Sequence, residues 1–320
     1  MLRIGHISYA NCTPLFYALT HYHDCSNYVF VKGVPSELNR LLLNGDIDVS
    51  PSSSIELARH PDLYCLLPDL SISSFGKVGS IILFSKIPLE ELNREKIALT
   101  QASTTSSFLL RIIMGEFLKM ENTFHEEGGP LEEVLKRYKA FLLIGDDALK
   151  AVISNEFRVT SKTLNSNPPF TPLLKGGEEG LFAKGEHGGI SPSSLYTYDL
   201  GELWYRFTHL PFVFALWLVR KDSLKSKEKE IVRLGRDLLL ARDMAFRNLE
   251  NISDDVEETN WMPKRMLTDY WENISYALND IHLEGLREFY RYAEKLSVIE
   301  KLPILEECIL STIDIERRKQ

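Results

Sequence analysis

Asn11 sits in the loop Tyr9-Ala10-Asn11-Cys12-Thr13-Pro14, directly after a short apolar run of Leu2, Ile4 and Ile7 and directly before a helical stretch, Leu15 to Leu19. Open α/β sheets bind ligands beyond the carboxyl ends of their strands, so a carboxamide there is placed to hydrogen-bond a ligand. Three hydroxyl-rich turns stand ahead of helical stretches in the same way: Ser36, Ser52-Ser53-Ser54 and Ser103-Thr104-Thr105-Ser106. Each has an ordinary explanation, because serine and threonine hydroxyls cap helix N-termini. The run 103–106 is richer than capping needs. Hydroxyls and free backbone N–H groups at a helix start can hold a carboxylate or phosphate without a cation. Asp146 follows a strand and a glycine; it either bonds turn amides or works as an acid or base at a cleft edge. His6 falls inside the first strand pattern and reads as a packed histidine, and Trp204, Trp217, Trp261 and Trp271 read as packing residues. No H-E-x-x-H, G-x-S-x-G, dinucleotide fingerprint or Walker loop occurs.

The elements that must position these residues alternate. Tyr28-Val29-Phe30-Val31 reads as a strand. A helix follows, opened by Pro35-Ser36, with Ser36 as its cap and Leu38, Leu41 and Leu42 on its apolar face. Asp48-Val49 starts a further short strand, and Ser50 to Ser54 leads into a helix through Ile55 to Arg59. Strand and helix signals then alternate again: Ser80-Phe84, Ile97-Thr100, a helix from Phe108 to Met120, and Lys139-Ile144. After the long apolar run Phe212 to Val219 the chain reads as helical: Lys225 to Asn248, Pro263 to Leu278 and Leu283 to Leu296. The βαβα order favours parallel sheets covered on both faces. With Ser80-Phe84 and Phe212-Val219 as crossover strands, the chain is expected to form two lobes around a central cleft, as periplasmic binding proteins do. Lobe I is expected over residues 1–84 plus 218–320 and lobe II over 85–217.

Composition narrows the class. The 320 residues are 44% hydrophobic and 26% charged, with a formal charge of −8. That balance argues against a nucleic-acid partner, which calls for a basic face. The four cysteines, Cys12, Cys25, Cys65 and Cys308, have no metal-ligand spacing, so no metal is expected and they read as free thiols. No apolar run approaches the roughly 18 residues of a membrane span, and the first residues show no leader pattern. The expectation is a cytoplasmic protein with a small, anionic ligand and no membrane partner.

A set of motifs in order sharpens this. I-G-H-I-x-Y-x-N-C-x-P-L at the start is followed by V-P-S-x-L-N-x-L-L-x-x-G-x-I-D-V and F-G-x-V-x-S-I-x-L-F-S-K. Then come T-x-x-S-T-T-S ending at Ser106, I-G-D-x-A-L at Ile144 to Leu149, Y-D-L-G-x-x-W at Tyr198 to Trp204 and L-P-F-V-F-A-x-W ending at Trp217. The chain thereby resembles the chorismate dehydratases of the futalosine route to menaquinone. The resemblance implies an α/β, type II periplasmic-binding-protein-like fold and a hydro-lyase that converts chorismate to 3-[(1-carboxyvinyl)oxy]benzoate. It implies chorismate as the partner and no cofactor, because elimination makes the ring aromatic without redox chemistry. Carried over by position, Asn11 and Ser80 are the catalytic pair beside the ring. Ser103, Thr104, Thr105 and Ser106 are expected to hold a carboxylate, with Ser36, Ser52 and Asp146 as further binding residues. Neither Asn11 nor Ser80 is a good base at neutral pH. A substrate carboxylate is the expected proton acceptor, and Asp146 is the protein-side alternative.

Two other readings stand beside it. A 1,4-dihydroxy-6-naphthoate synthase of the same pathway would carry a loop like S-P-C-P-N-D-T, where this chain has Tyr9 to Pro14. A non-catalytic solute-binding or sensor protein would carry an export signal or an output domain. The segment Asn165 to Ser194, dense in Pro, Gly and Ser, departs from the family pattern and is expected to be a surface insertion.

Overall fold

The computed structural model describes residues 1–160 and 195–310. The expected insertion at 165–194 lies outside the described residues. Two five-stranded sheets share one pattern. In the first, β1 (Leu2–Ile7) pairs in parallel with β2 (Tyr28–Gly33) and β3 (Val49–Ser53), and the order is β2-β1-β3-β10-β4. In the second, β6 (Lys96–Thr100) pairs in parallel with β7 (Thr123–Glu127) and β8 (Ala140–Ile144), and the order is β7-β6-β8-β5-β9. The fourth position of each sheet is an antiparallel strand that arrives from the other lobe. It is β10 (Phe212–Arg220), between β3 and β4 (Tyr64–Ser74), in the first sheet, and β5 (Ile81–Ser85), between β8 and β9 (Tyr196–Asp199), in the second. These strands hydrogen-bond along their whole length to one sheet. The chain therefore changes lobe just ahead of them, at 75–80 and 209–211, rather than at the expected residues 84 and 218.

Sequence explains the local structure well. β5 and β8 are buried at every position, as strands covered on both faces must be. α1 (Thr13–Tyr22) opens with Pro14, whose missing N–H costs nothing in a first turn. α4 (Thr104–Ile112) is capped by the Ser103 hydroxyl, which accepts from Ser106 N–H. It runs into a π-helical turn, Ile113–Phe117, so the expected single helix to Met120 is broken. Two readings need correction. Val34, not Ser36, is the N-cap of α2 (Pro35–Asn44); Pro35 starts the helix two residues earlier and leaves Ser36 in its first turn. The short strand expected to start at Val49 runs on through Ser53 as the buried strand β3, where Ser50 to Ser54 reads in sequence as the lead into a helix. Its ladder to β1 has its one Cα pairing at Val49, so Pro51, further along the strand, takes no hydrogen bond away from β1.

The C-terminal third packs α8 (Lys221–Arg247), α10 (Lys264–Glu272) and α11 (Asp280–Lys295) around the first lobe. Helix α8 is tied to β1 by a buried network: Asp48 accepts from Arg3 Nη2 (2.9 Å), the Ser223 hydroxyl (2.8 Å) and Lys227 Nζ (2.7 Å). Trp204, Trp217 and Trp271 are fully buried. His6 stacks on Phe16 at 3.8 Å, and burial pushes its pKa down to about 4, in keeping with a packed neutral ring. Among the described residues no helix is long and apolar enough to cross a membrane.

Candidate active site

The β1–α1 loop delivers Asn11 through a short turn, closed by Cys12 N–H donating to the Tyr9 carbonyl at 2.9 Å. From this loop a circuit of hydrogen bonds links three distant parts of the chain. Ala10 N–H donates to Asp146 Oδ1 at 2.9 Å. Gly145 N–H, one residue before, donates to the Ser80 carbonyl at 2.8 Å. The Tyr270 hydroxyl donates to Ser80 Oγ at 2.9 Å, and Trp271 Nε1–H donates back to the Ala10 carbonyl at 2.8 Å. Tyr276 adds a donor to the Asn11 carbonyl at 2.5 Å. Asn11 and Ser80 are thus drawn to one place by loops of both lobes and by the C-terminal helix α10. Tyr9 lies against Gly145, and burial pushes its phenol up to about 12.

Within this frame the Asn11 carboxamide oxygen is buried and has no hydrogen-bond partner among the described residues. A buried acceptor left unmatched costs about 1–3 kcal/mol, so its position asks for a ligand that donates. Ser80 is fixed from behind as well. The amides of Val78 and Gly79 donate to Asp199 at 3.1 and 2.6 Å, and the same carboxylate caps α7 (Leu200–Thr208) through Glu202 N–H. Two residues on, Gly201 allows close approach; a Cβ there would stand 2.5 Å from the Gly76 carbonyl oxygen. Burial raises the pKa of Asp199 and of Asp146; the Ala10 amide and Lys150 oppose it at Asp146.

The hydroxyl run at the start of α4 is largely engaged by the protein itself. Ser103 and Ser106 share a bond between hydroxyls at 3.1 Å, and Ser103 also takes the Ser106 amide. Thr105 Oγ1 accepts from Ile55 N–H at 3.3 Å, which joins the second lobe to the start of α3 (Ile55–Arg59) in the first. Further contacts cross between lobes, among them Lys150 at 4.8 Å from the Trp261 ring centroid and Lys295 donating to Glu116 at 2.5 Å. The Ser52 and Ser54 hydroxyls, beside that junction in sequence, are buried without partners. Thr104 stands half-buried in the first turn of α4. Ser36 is half-buried, and no hydrogen bond among the described residues connects it to the circuit.

Sequence reading missed the C-terminal contribution. Tyr270 and Trp271 are adjacent aromatics at the end of α10, and both are buried, as is Leu267 one turn before them. That composition signals a helix end covered by something, and says nothing about what covers it. Asp199 had a visible signal, since Asp199 followed by Glu202 has the spacing of an N-capping box; its hold on the amides ahead of Ser80 had none.

A family model described as menaquinone biosynthesis matches residues 2–161 and 177–295. A chorismate dehydratase of Thermus thermophilus is 32% identical over 286 residues, which cover 89% of this chain and 93% of that protein. Among solved structures, protein AF1704 of Archaeoglobus fulgidus superposes with a TM-score of 0.67 at 18% identity, covering 93% of this chain and 98% of that one. The alkanesulfonate-binding protein SsuA of Xanthomonas axonopodis pv. citri, bound to MOPS, superposes at 0.64 with 11% identity and covers 97% of each chain. At such identities the likeness is one of fold, the two-lobed periplasmic-binding-protein-like fold.

Proposed function

This chain belongs to the menaquinone biosynthesis family, and from that premise we propose that it is a chorismate dehydratase, a lyase that removes water from chorismate to give 3-[(1-carboxyvinyl)oxy]benzoate. By the motifs of its sequence the reading extends to a cytoplasmic enzyme of the futalosine route. The observation that carries the site assignment is the buried, unpartnered Asn11 carboxamide oxygen, held beside Ser80 by the circuit through Asp146, Tyr270 and Trp271.

The chemistry suits such a site. Loss of a ring proton and the neighbouring hydroxyl creates an aromatic ring, so the driving force resides in the substrate. The protein has to orient the substrate, exclude water and stabilise the departing oxygen. Asn11 accepts from a substrate hydroxyl and Ser80 meets the reacting face. At the start of α4 the Ser103, Thr105 and Ser106 hydroxyls already bond within the protein, so a substrate carboxylate there would be held by the helix N-terminus and Thr104. Asp146 is already occupied with the Ala10 amide, which favours a positioning role for it. The proton then goes to a carboxylate of the substrate itself.

The experiment is direct. Purified protein incubated with chorismate should release the aromatic product, and its absence would remove this reading. Asn11→Ala should lose most turnover while still binding product measurably. Normal turnover in both Asn11→Ala and Ser80→Ala would overturn the site assignment and leave the reaction in place.

A further inference from the structure

Ser80 is immobilised on every side but one. Its carbonyl takes the Gly145 amide, and the two amides before it are held by Asp199. The Tyr270 ring closes over Gly79, where an added Cβ would stand 3.4 Å from Cδ2. What remains free is the torsion of the Ser80 hydroxyl, and here Tyr270 decides. A phenol has one proton to donate. That of Tyr270 goes to Ser80 Oγ at 2.9 Å, and Tyr270 makes no other hydrogen bond through its hydroxyl among the described residues. Burial pushes the phenol's pKa well up, so it keeps that proton. With this lone pair filled, the O–H of Ser80 must point away from Tyr270, and no described residue accepts it.

We propose that Tyr270 is a positioning residue that sets Ser80 as a one-way hydrogen-bond donor to the substrate oxygen that leaves as water. The inference rests on the dehydratase reading above and deepens it. In the elimination, the C–H bond breaks toward a substrate carboxylate and its electron pair forms the new ring double bond. The C–O bond breaks with its pair remaining on oxygen, and the proton taken by the carboxylate completes the water molecule. Ser80 and Tyr270 supply hydrogen bonds and no net proton. The same arrangement makes Ser80 a poor base, because its nearest lone pair is already engaged.

The test is a double-mutant cycle of wild type, Tyr270→Phe, Ser80→Ala and the double variant, with kcat and KM for chorismate, product affinity and urea midpoint measured for each. Removing a direct donor to a developing oxyanion costs about 10²–10³ in kcat. Tyr270, acting through Ser80, should cost about tenfold in kcat, with KM and product affinity within about threefold. In the Ser80→Ala background the second substitution should change kcat less than about twofold. An equal loss in both backgrounds, or no loss in either, would overturn the proposal. A second readout needs no turnover. The Raman doublet of Tyr270, isolated as the difference between wild type and Tyr270→Phe, should report a donating phenol and change in Ser80→Ala; an unchanged doublet would refute the pairing. A wild type inactive on chorismate would remove the parent reading and the leaving oxygen as recipient, while the Raman difference still decides whether Tyr270 sets the Ser80 hydroxyl.

Discussion

Gly145→Ala should injure this protein by two separable routes. Gly145 opens α6 (Gly145–Thr160) at φ +60°, in the left-handed region, and a Cβ built there would stand 2.7 Å from two atoms of the Tyr9 ring. The left-handed conformation costs an L-residue about 1–2 kcal/mol. Forcing a methyl group into a packed site costs about 1–3 kcal/mol. Together they predict a loss of about 2–5 kcal/mol in urea unfolding. Tyr9→Leu, made in the Gly145→Ala background, relieves the clash and leaves the backbone term. The two substitutions should therefore couple favourably by about 1–3 kcal/mol in a double-mutant cycle. Turnover should fall as well, because the same turn gives Gly145 N–H to Ser80 and Asp146 to the Ala10 amide. A single-variant cost below about 0.5 kcal/mol, or purely additive substitutions, would refute the close packing of Tyr9 on Gly145 from which these numbers come.

Two further outcomes follow from buried carboxylates. At Asp48 burial alone would raise the pKa, but the bonds from Arg3, Lys227 and Ser223 outweigh it and hold the group well below the usual carboxylate range. A depressed native pKa gives stability that is present above the unfolded value near ~4 and is lost as pH falls below it. Asp48→Asn should accordingly cost about 1–3 kcal/mol at neutral pH, because the Arg3 and Lys227 it leaves behind reach solvent, and flatten the acid limb of the stability profile; urea midpoints that fall in parallel with wild type below that pH would contradict this. At Asp146 burial raises the pKa, so protonation on acidification weakens its hold on Ala10 at a pH above the usual carboxylate range. Asp146→Asn keeps an Oδ1 acceptor and should retain kcat within about tenfold while losing that acid limb. A loss of about 10²–10⁴ would instead make Asp146 the general base.

The legible part of this molecule was local. Continuous apolar runs marked β5, β8 and β10, because a strand covered on both faces needs apolar sequence throughout, and shorter apolar or β-branched runs marked β1, β2 and β6. The cap at Ser103 was legible because a hydroxyl before a helix has one common use. The long strand β4 and β7 escaped notice, and β3 was expected at Val49 but not through Ser53, since serines, prolines and acidic residues give weak strand signals. Ser36 was misjudged as a cap because a shift of two residues in where a helix starts depends on the backbone entering it.

Residue order alone carried the class of the protein, two α/β halves with a family's motifs, and set Asn11, Ser80 and the 103–106 run at the ends of elements. What each of these groups is free to do follows from packing across the whole fold. Asp146 meets Ala10 across 136 positions, Tyr270 meets Ser80 across 190 and Trp271 meets Ala10 across 261. No periodicity encodes such pairs, because helix and strand repeats report only which face is buried, and the partner on that face is chosen by the packing of the whole chain. Those distant bonds leave the Asn11 carboxamide oxygen unpartnered and turn the Ser80 hydroxyl into a donor.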